Sequence, residues 1–369
     1  MGATRAIRLG MPVEELETPV LTVEIEAMQR NLARMMGILA GSTVRLRPHL
    51  KTAKSPALAH LMVQAGAVGV CAAKLSEAEA LANAGITDIL LTSEVAGFGK
   101  VERLVALASR LAAFKAVVDN APAVGEIARL ARERGVTVKL LIELDVNTGR
   151  SGVSTPNGVL NLANTIRETD GVELLGLHGY AGHAQIRPPD DRRERNDKAM
   201  KILSETVELL REHNHDVRIV SGGGTGTCAL DVANGFLNEV QAGSFLLMDT
   251  AYRNTDVPFE NAVRCLTTII SRPTAERAVC DAGQKTMSHD AGPPEVENRP
   301  GVRYLRGSDE HGLIAVEPAE QDRELNVGDV ISLLPSHICT TINLHDVLVG
   351  VRDGVVEAIY PIEARGHVW

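Results

Sequence analysis

Aromatic residues are scarce in this chain. Phe, Trp and Tyr make up 3% of its 369 residues, with a single tryptophan. A core of this size must therefore be filled by Leu, Val, Ile and Ala. Cysteine is also sparse, and odd in number: Cys71, Cys228, Cys265, Cys280 and Cys339 lie far apart. That excludes the disulfide framework of small secreted domains and suits reduced thiols. Positive charge is in deficit, with 38 Lys and Arg against 47 Asp and Glu and a net charge of −9. A general binder of nucleic acid or of anionic membrane is excluded on that ground. No apolar run approaches the roughly 18 to 20 residues that cross a bilayer, and no apolar signal segment opens the sequence. The expectation is a cytoplasmic protein with neither a nucleic-acid nor a membrane partner.

What is present is the composition of an ordinary globular protein, 44% hydrophobic and 23% charged, and long enough for two domains. Pro19–Val23 reads as a strand and Ile25–Leu39 as an amphipathic helix. Strand-like runs follow at 44–50, 67–72, 88–92, 114–118, 137–145, 172–178, 217–221 and 238–246. Helical patterns separate them, among them 101–111, 123–134, 160–167 and 198–212. Gly66, Gly85 and Gly135 sit where left-handed helix ends are expected. Eight strands alternating with helices predict an α/β fold, a (β/α)8 TIM-like barrel, with an open doubly wound sheet as the alternative. From about residue 255 the texture becomes short strands and turns. Runs at 263–270, 277–279, 302–305, 313–316, 330–334, 338–344, 347–351 and 355–360 predict an antiparallel β domain, with a loop over 290–300. The expected division is a barrel over 18–252 and a β domain over 253–369, with residues 1–17 packing near the β domain.

The chemistry is expected at the C-terminal ends of the barrel strands. In the stretch Val44–Ser55, a period of two puts Arg45, Arg47, His49 and Lys51 on one face and Val44, Leu46, Pro48 and Leu50 on the other. A helix should begin after it, with Ser55 as cap and Pro56 in the first turn. A lysine crowded by cations at a strand's mouth is pressed toward its neutral, nucleophilic form and suits a Schiff base with an aldehyde. The plain alternative is a solvated strand face. The seventh strand runs into Ser221-Gly222-Gly223-Gly224-Thr225-Gly226-Thr227. There, glycine amides and two hydroxyls can gather on a phosphate; a flexible turn is the alternative. Gly243-Ser244 could add a second anchor. An aldehyde site and a phosphate site facing each other fit pyridoxal 5′-phosphate. Arg150 could then bond its phenolic oxygen.

The β domain adds Pro335-Ser336-His337-Ile338-Cys339. On a strand, His337 and Cys339 share a face and can reach one divalent ion, Zn²⁺ by ligand softness; a coincidental buried pair is the alternative. His311, in Asp309-Glu310-His311-Gly312, either lines the site or caps a turn.

These segments together resemble the fold-type III pyridoxal-phosphate enzymes, the alanine-racemase-like group. Within it the chain looks like the metal-dependent D-threonine aldolase, 3-hydroxy-D-aspartate aldolase and D-serine dehydratase branch. The carriers are 47–55, 149–153, 221–227, 238–244, 281–283, 309–312 and 335–339. The resemblance implies that Lys51 carries the Schiff base and moves a proton, and that Arg150 contacts the ring oxygen. It puts the phosphate on Ser221, Gly223, Gly224, Thr225 and Gly226, with Gly243 and Ser244. Tyr180 and His49 lie in the cofactor site, His337 and Cys339 hold Mn²⁺, Zn²⁺ or Mg²⁺, and His311 belongs to the catalytic set. Gln241 stands where racemases place an arginine against the pyridine nitrogen. That departure and the metal pair favour a lyase on D-β-hydroxy amino acids, an aldolase ahead of a dehydratase. A homodimer is implied, each β domain completing its neighbour's barrel mouth. A racemase, a metal-only hydrolase and a non-catalytic cofactor carrier are the rival readings.

Overall fold

The computed structural model describes residues 6–318 and 325–369. Strand β1 (Val20–Glu24) leads directly into helix α1 (Ile25–Leu39). The buried face of α1 falls on Met28, Leu32, Met35 and Leu39, at the three-and-four spacing of an amphipathic helix. Eight parallel strands follow: β2 (Arg45–Leu46), β3 (Val70–Ala72), β4 (Ile89–Leu91), β5 (Lys115–Val118), β6 (Val138–Glu143), β7 (Val172–Gly179), β8 (Ile219–Gly222) and β9 (Glu239–Val240). Their order is β2-β9-β8-β7-β6-β5-β4-β3. The circle closes where Cys71 N–H donates to the Pro48 carbonyl and Leu50 N–H to the Cys71 carbonyl, each at 2.9 Å. Helices α2 (Pro56–Gln64), α3 (Leu75–Asn83), α4 (Phe98–Arg110), α5 (Ala121–Glu133), α6 (Pro156–Arg167), α7 (Pro189–Glu212) and α8 (Cys228–Asn234) connect them. Gly66, Gly85 and Gly135 all have positive φ just past helix ends, as the sequence predicts.

Of the basic face of 44–51, Arg47, His49 and Lys51 line the inside of this barrel, while Arg45, at its outer end, is exposed. Arg47 is 2% exposed and lies near the floor. Its guanidinium donates to both carboxylate oxygens of Glu239 at 2.7 and 2.8 Å and to Asp88 at 2.5 Å, and Lys115 joins Asp88 at 2.8 Å. Above this network Cys71, Leu90, Val117, Leu141 and Leu175 form an apolar cluster inside the barrel. The regular ladder of β2 is much shorter than the predicted run. Pro48 has no amide to donate, and the pairing continues irregularly, through Arg47 N–H to the Val240 carbonyl and His49 N–H to that of Ala242. The predicted strand over 238–246 likewise shortens to β9 and turns into a 3-10 segment at Ser244–Leu246. Ser55 does precede α2, with Pro56 in the first turn, but its hydroxyl makes no capping bond.

The second layer comprises β10 (Val263–Thr274), β11 (Arg277–Cys280), β12 (Glu295–Val296), β13 (Val302–Gly307), β14 (Gly312–Val316), β15 (Val330–Leu334), β16 (Val347–Arg352) and β17 (Val355–Pro361), with helix α9 (Ile338–Ile342) between β15 and β16. It is mostly antiparallel. β1 joins this layer, antiparallel to β10 and parallel to β16, so the sheet is threaded by the early chain. Residues 10–13 pair with 354–356, and Met11 and Leu16 pack on Val349 and Val356.

One prediction is overturned here: 338–344 is not a strand. Ile338, Thr340, Thr341 and Ile342 have strand propensity. However, the Ile338 N–H is taken by the Asp249 carboxylate at 2.9 Å, which starts a short helix instead. Among the described residues, no helix is long and apolar enough to cross a membrane.

Candidate active site

Lys51 lies in the turn beyond the irregular continuation of β2, at the C-terminal mouth. Its Nζ lies 5.1 Å from the centre of the Tyr180 ring, which Arg150 also approaches at 5.7 Å. Lys51, Tyr180, Arg150, His49, His178 and Gln241 line one cavity of about 380 Å³. His49 meets the Thr92 hydroxyl through Nε2 at 3.0 Å. Burial, aided by the charge of Lys51, keeps its ring neutral, well below the usual histidine range. Arg150 is half-exposed on its loop, 3.9 Å from Glu143.

Beneath the cavity runs a buried polar chain. His178 Nδ1 bonds the Glu143 carboxylate, and its Nε2 lies 3.1 Å from the Gln241 side-chain oxygen. Gln241 Nε2 donates to the Ser221 hydroxyl at 2.8 Å. Ser221 was expected on the phosphate; its side chain is instead inside the barrel, on Gln241, because it stands on β8 and not in the loop beyond.

The glycine-rich loop is tightly seated. A Cβ on Gly226 would lie 1.9 Å from the Gln185 carbonyl oxygen, and Gly223 has φ +63°. Not all of its donors are free. Gly224 N–H goes to the Thr227 hydroxyl and Gly226 N–H to the Gln185 side chain. Thr227 donates on to Asp231, and Thr225 accepts from Phe245 N–H. The Thr227 hydroxyl therefore spends its proton inside the loop, contrary to the expectation that it faces an anion, while Thr225 accepts a bond and keeps its own proton. Among the described residues, the N–H groups of Gly223, Thr225, Gly243 and Ser244 have no protein acceptor. Unmet amides grouped around one loop suit an anionic oxygen.

His337 and Cys339 do not share a strand face. His337 caps α9 and Cys339 lies in its first turn, yet the pair is in contact. Contact with Cys339, with the Asp290 bond in support, lifts His337 to about 9. Burial pushes the Cys339 thiol up, but His337, the Thr52 hydroxyl and Lys51 outweigh it and leave the thiol below its ordinary value. Cys339 Sγ lies 3.2 Å from Thr52 Oγ1 and 3.9 Å from Ser244 Oγ. The β-domain pair thus reaches the barrel mouth of its own chain. His337 Nδ1 is bonded to Asp290 at 2.7 Å, which leaves Nε2 clear of that carboxylate. Among the described residues, no three His, Cys, Asp or Glu side chains are grouped to hold an ion. What lies at this place is one imidazole beside one thiol.

His311 is not brought to this site; it is exposed at the turn between β13 and β14. Three residues were missed by sequence reasoning. Glu143 could have been found as a carboxylate inside the apolar run Leu140–Leu144. Asp290 sits in an expected loop with no signal. His183 follows Tyr180 and keeps Nδ1 buried without a partner among the described residues.

A parallel (β/α)8 barrel with a lysine closing its first strand, a glycine turn with open amides after its seventh, and an appended β layer define the alanine-racemase-like class of pyridoxal-phosphate enzymes. The sequence belongs to that family. The alanine racemase N-terminal domain matches residues 23–251, and a putative serine dehydratase domain matches 262–351. A D-threonine aldolase from Arthrobacter sp is 39% identical over 362 residues, covering 97% of this chain and 95% of that protein. A 3-hydroxy-D-aspartate aldolase from Paracoccus denitrificans (strain Pd 1222) is 35% identical over 368 residues, covering 97% and 94%. The crystal structure of D-threonine aldolase from Filomicrobium marinum superposes with a TM-score of 0.95 at 38% identity, over 98% of this chain and 100% of that one.

Proposed function

We propose that this chain is a pyridoxal-phosphate- and divalent-metal-dependent lyase of D-β-hydroxy amino acids. It breaks the Cα–Cβ bond to give glycine and an aldehyde, as its D-threonine and 3-hydroxy-D-aspartate aldolase relatives are named for doing. The observation that carries the reading is the meeting of two distant segments. Cys339, paired with His337, reaches Thr52 at 3.2 Å, beside the Lys51 amine. An amine for an aldehyde and a soft donor pair for a cation then serve one small molecule.

The residues fit both groups. Lys51 would hold the cofactor's aldehyde carbon and Arg150 its ring oxygen. Tyr180, His49 and Gln241 would surround the ring. The amides of Gly223, Thr225, Gly243 and Ser244, with Gly224 and Gly226 shaping the turn, would take the phosphate. When bound, pyridoxal phosphate supplies the sink for electrons released at Cα. A divalent ion on His337 and Cys339 supplies a Lewis acid for the substrate hydroxyl. The reaction then needs one proton removed from that hydroxyl and one placed on Cα. Lys51 Nζ is the group at the mouth that can carry the second, with Tyr180 under it. Asp290 holds the His337 ring so that Nε2 stays aimed. The thiolate favours Zn²⁺. In a homodimer, which the family resemblance implies, His311 would enter the set only from the second copy of the chain.

A dehydratase is the second reading, favoured by Cys339 and by the match of 262–351 to a putative serine dehydratase domain. Product analysis with D-threonine, D-serine and D-3-hydroxyaspartate, in Mn²⁺ or Zn²⁺, decides. Glycine supports the aldolase, and ammonia with a keto acid the dehydratase. Cofactor binding without turnover of any of the three overturns both.

A further inference from the structure

The buried chain Glu143–His178–Gln241–Ser221 has a direction, and that direction determines what the cavity presents to a ring above it. A carboxylate only accepts, so His178 donates from Nδ1 to Glu143. The Gln241 side-chain oxygen also only accepts, so His178 donates from Nε2 across 3.1 Å. In this orientation of the amide His178 donates from both nitrogens, as an imidazolium that is 1% exposed and held by the buried Glu143 carboxylate. Burial opposes the charge, but Glu143 outweighs it and raises His178 above its usual range. Gln241 now has its oxygen spent on His178 and one amide proton spent on Ser221 at 2.8 Å. Its second amide proton is left for the cavity that Gln241 lines. Were the amide turned over, its NH₂ would face a neutral His178 and its oxygen would face Ser221 and the cavity. The Glu143–His178 pair decides between a donor and an acceptor under the ring.

We propose that Glu143 and His178 are positioning residues that fix the Gln241 amide with an N–H toward the cofactor, so that the pyridine nitrogen is bound as an unprotonated acceptor. This rests on the reading that pyridoxal phosphate occupies the cavity. A neutral side chain then does what a fixed cation would do, because the charge that orients it lies one residue deeper. The consequence is chemical: an unprotonated ring is a weaker electron sink. The burden of bond breaking shifts toward the groups on the other side of the substrate, Lys51 and the His337–Cys339 pair.

The test is solution ¹⁵N NMR of the holoenzyme loaded with ring-¹⁵N pyridoxal phosphate, compared with Glu143→Gln, His178→Asn and Gln241→Glu. The wild-type signal is expected in the range of an unprotonated pyridine nitrogen. Gln241→Glu, which substitutes a pure acceptor, is expected to move it to the protonated range, and Glu143→Gln and His178→Asn to move it part or all of the way. The affinity of apoenzyme for the cofactor should weaken by about tenfold in Glu143→Gln. A protonated ring nitrogen in the wild type overturns the proposal without any variant having to fold. So does a signal unmoved by Glu143→Gln in protein that binds the cofactor. Failure of wild-type protein to bind pyridoxal phosphate, read by equilibrium dialysis, overturns the underlying site reading instead.

Discussion

Lys51 and Cys339 are separated by 288 positions, and neither has meaning alone. An exposed lysine is common, and so is a buried cysteine. Brought within electrostatic reach of each other, with His337 lowering the thiol and a tyrosine ring beside the amine, they are the pair on which the proposed reaction centre rests. Lys51→Ala is expected to abolish turnover and the visible absorbance that appears when pyridoxal phosphate is added, measured by titration in a spectrophotometer. Cys339→Ala should weaken Zn²⁺ binding by at least about tenfold, read by calorimetry, and Cys339→Asp should restore binding with a preference moved toward Mn²⁺. A third prediction concerns pH. Asp231 is fully buried, and burial lifts its carboxyl to about 7. The folded protein thus holds a proton that the unfolded chain releases near the ordinary carboxylate range. Between those two values the native state binds more protons, so stability falls as pH rises from about 4 to 7. Asp231→Asn should flatten that slope in chemical denaturation curves and leave the protein more stable than wild type at pH 8.

At the scale of elements, the instructive case is α9. Its residues read as a strand, and only Asp249, arriving from the segment after β9, takes the Ile338 amide and turns the segment into a helix. The His-Xaa-Cys spacing that looks like one strand face is met by a cap and a first turn instead. Both geometries bring the two side chains together, which is why the pair survives a wrong secondary structure. Asp249→Ala is expected to cost about 1–2 kcal/mol in urea unfolding and to weaken metal binding without altering cofactor affinity. The glycine turn shows the opposite outcome. Its composition was readable, but which amides stay open was not. Gly224 and Gly226 are spent on Thr227 and Gln185, and Gln185 comes from a loop with no signal of its own.

The whole molecule depends on barrel closure around a charged floor. Arg47, in the stretch that reads as a basic strand face, is neutralised by Glu239 from the last barrel strand and by Asp88 from beside β4. It thereby ties β2 to its neighbour β9 and, across the closure, to the start of β4. Arg47→Met leaves buried Glu239 without its cation, with Asp88 held by Lys115 alone, and is expected to destabilise by about 3–5 kcal/mol, seen as a large drop in melting temperature. Pairing of β1 with β10 and β16 welds the second layer to the first helix of the barrel. That coupling keeps α9 over the mouth.

The sequence by itself determined the periodicities, and through them the barrel, the β layer and the strand ends near which Lys51, Tyr180 and Gln241 lie, though not the helix that carries Cys339. Alternation and helix spacing are local, and local geometry obeys them. It also carried the chemical types: an amine, a glycine turn, an imidazole with a thiol. Tertiary structure alone decided where charge would go. Whether the face of Arg47, His49 and Lys51 meets water or a barrel interior depends on closure. Which amides remain unspent, and which way Gln241 turns, depend on partners tens to hundreds of residues away. Hydrogen bonds and buried charges are satisfied by whatever the fold brings within about 3 Å, and a linear pattern does not encode that distance.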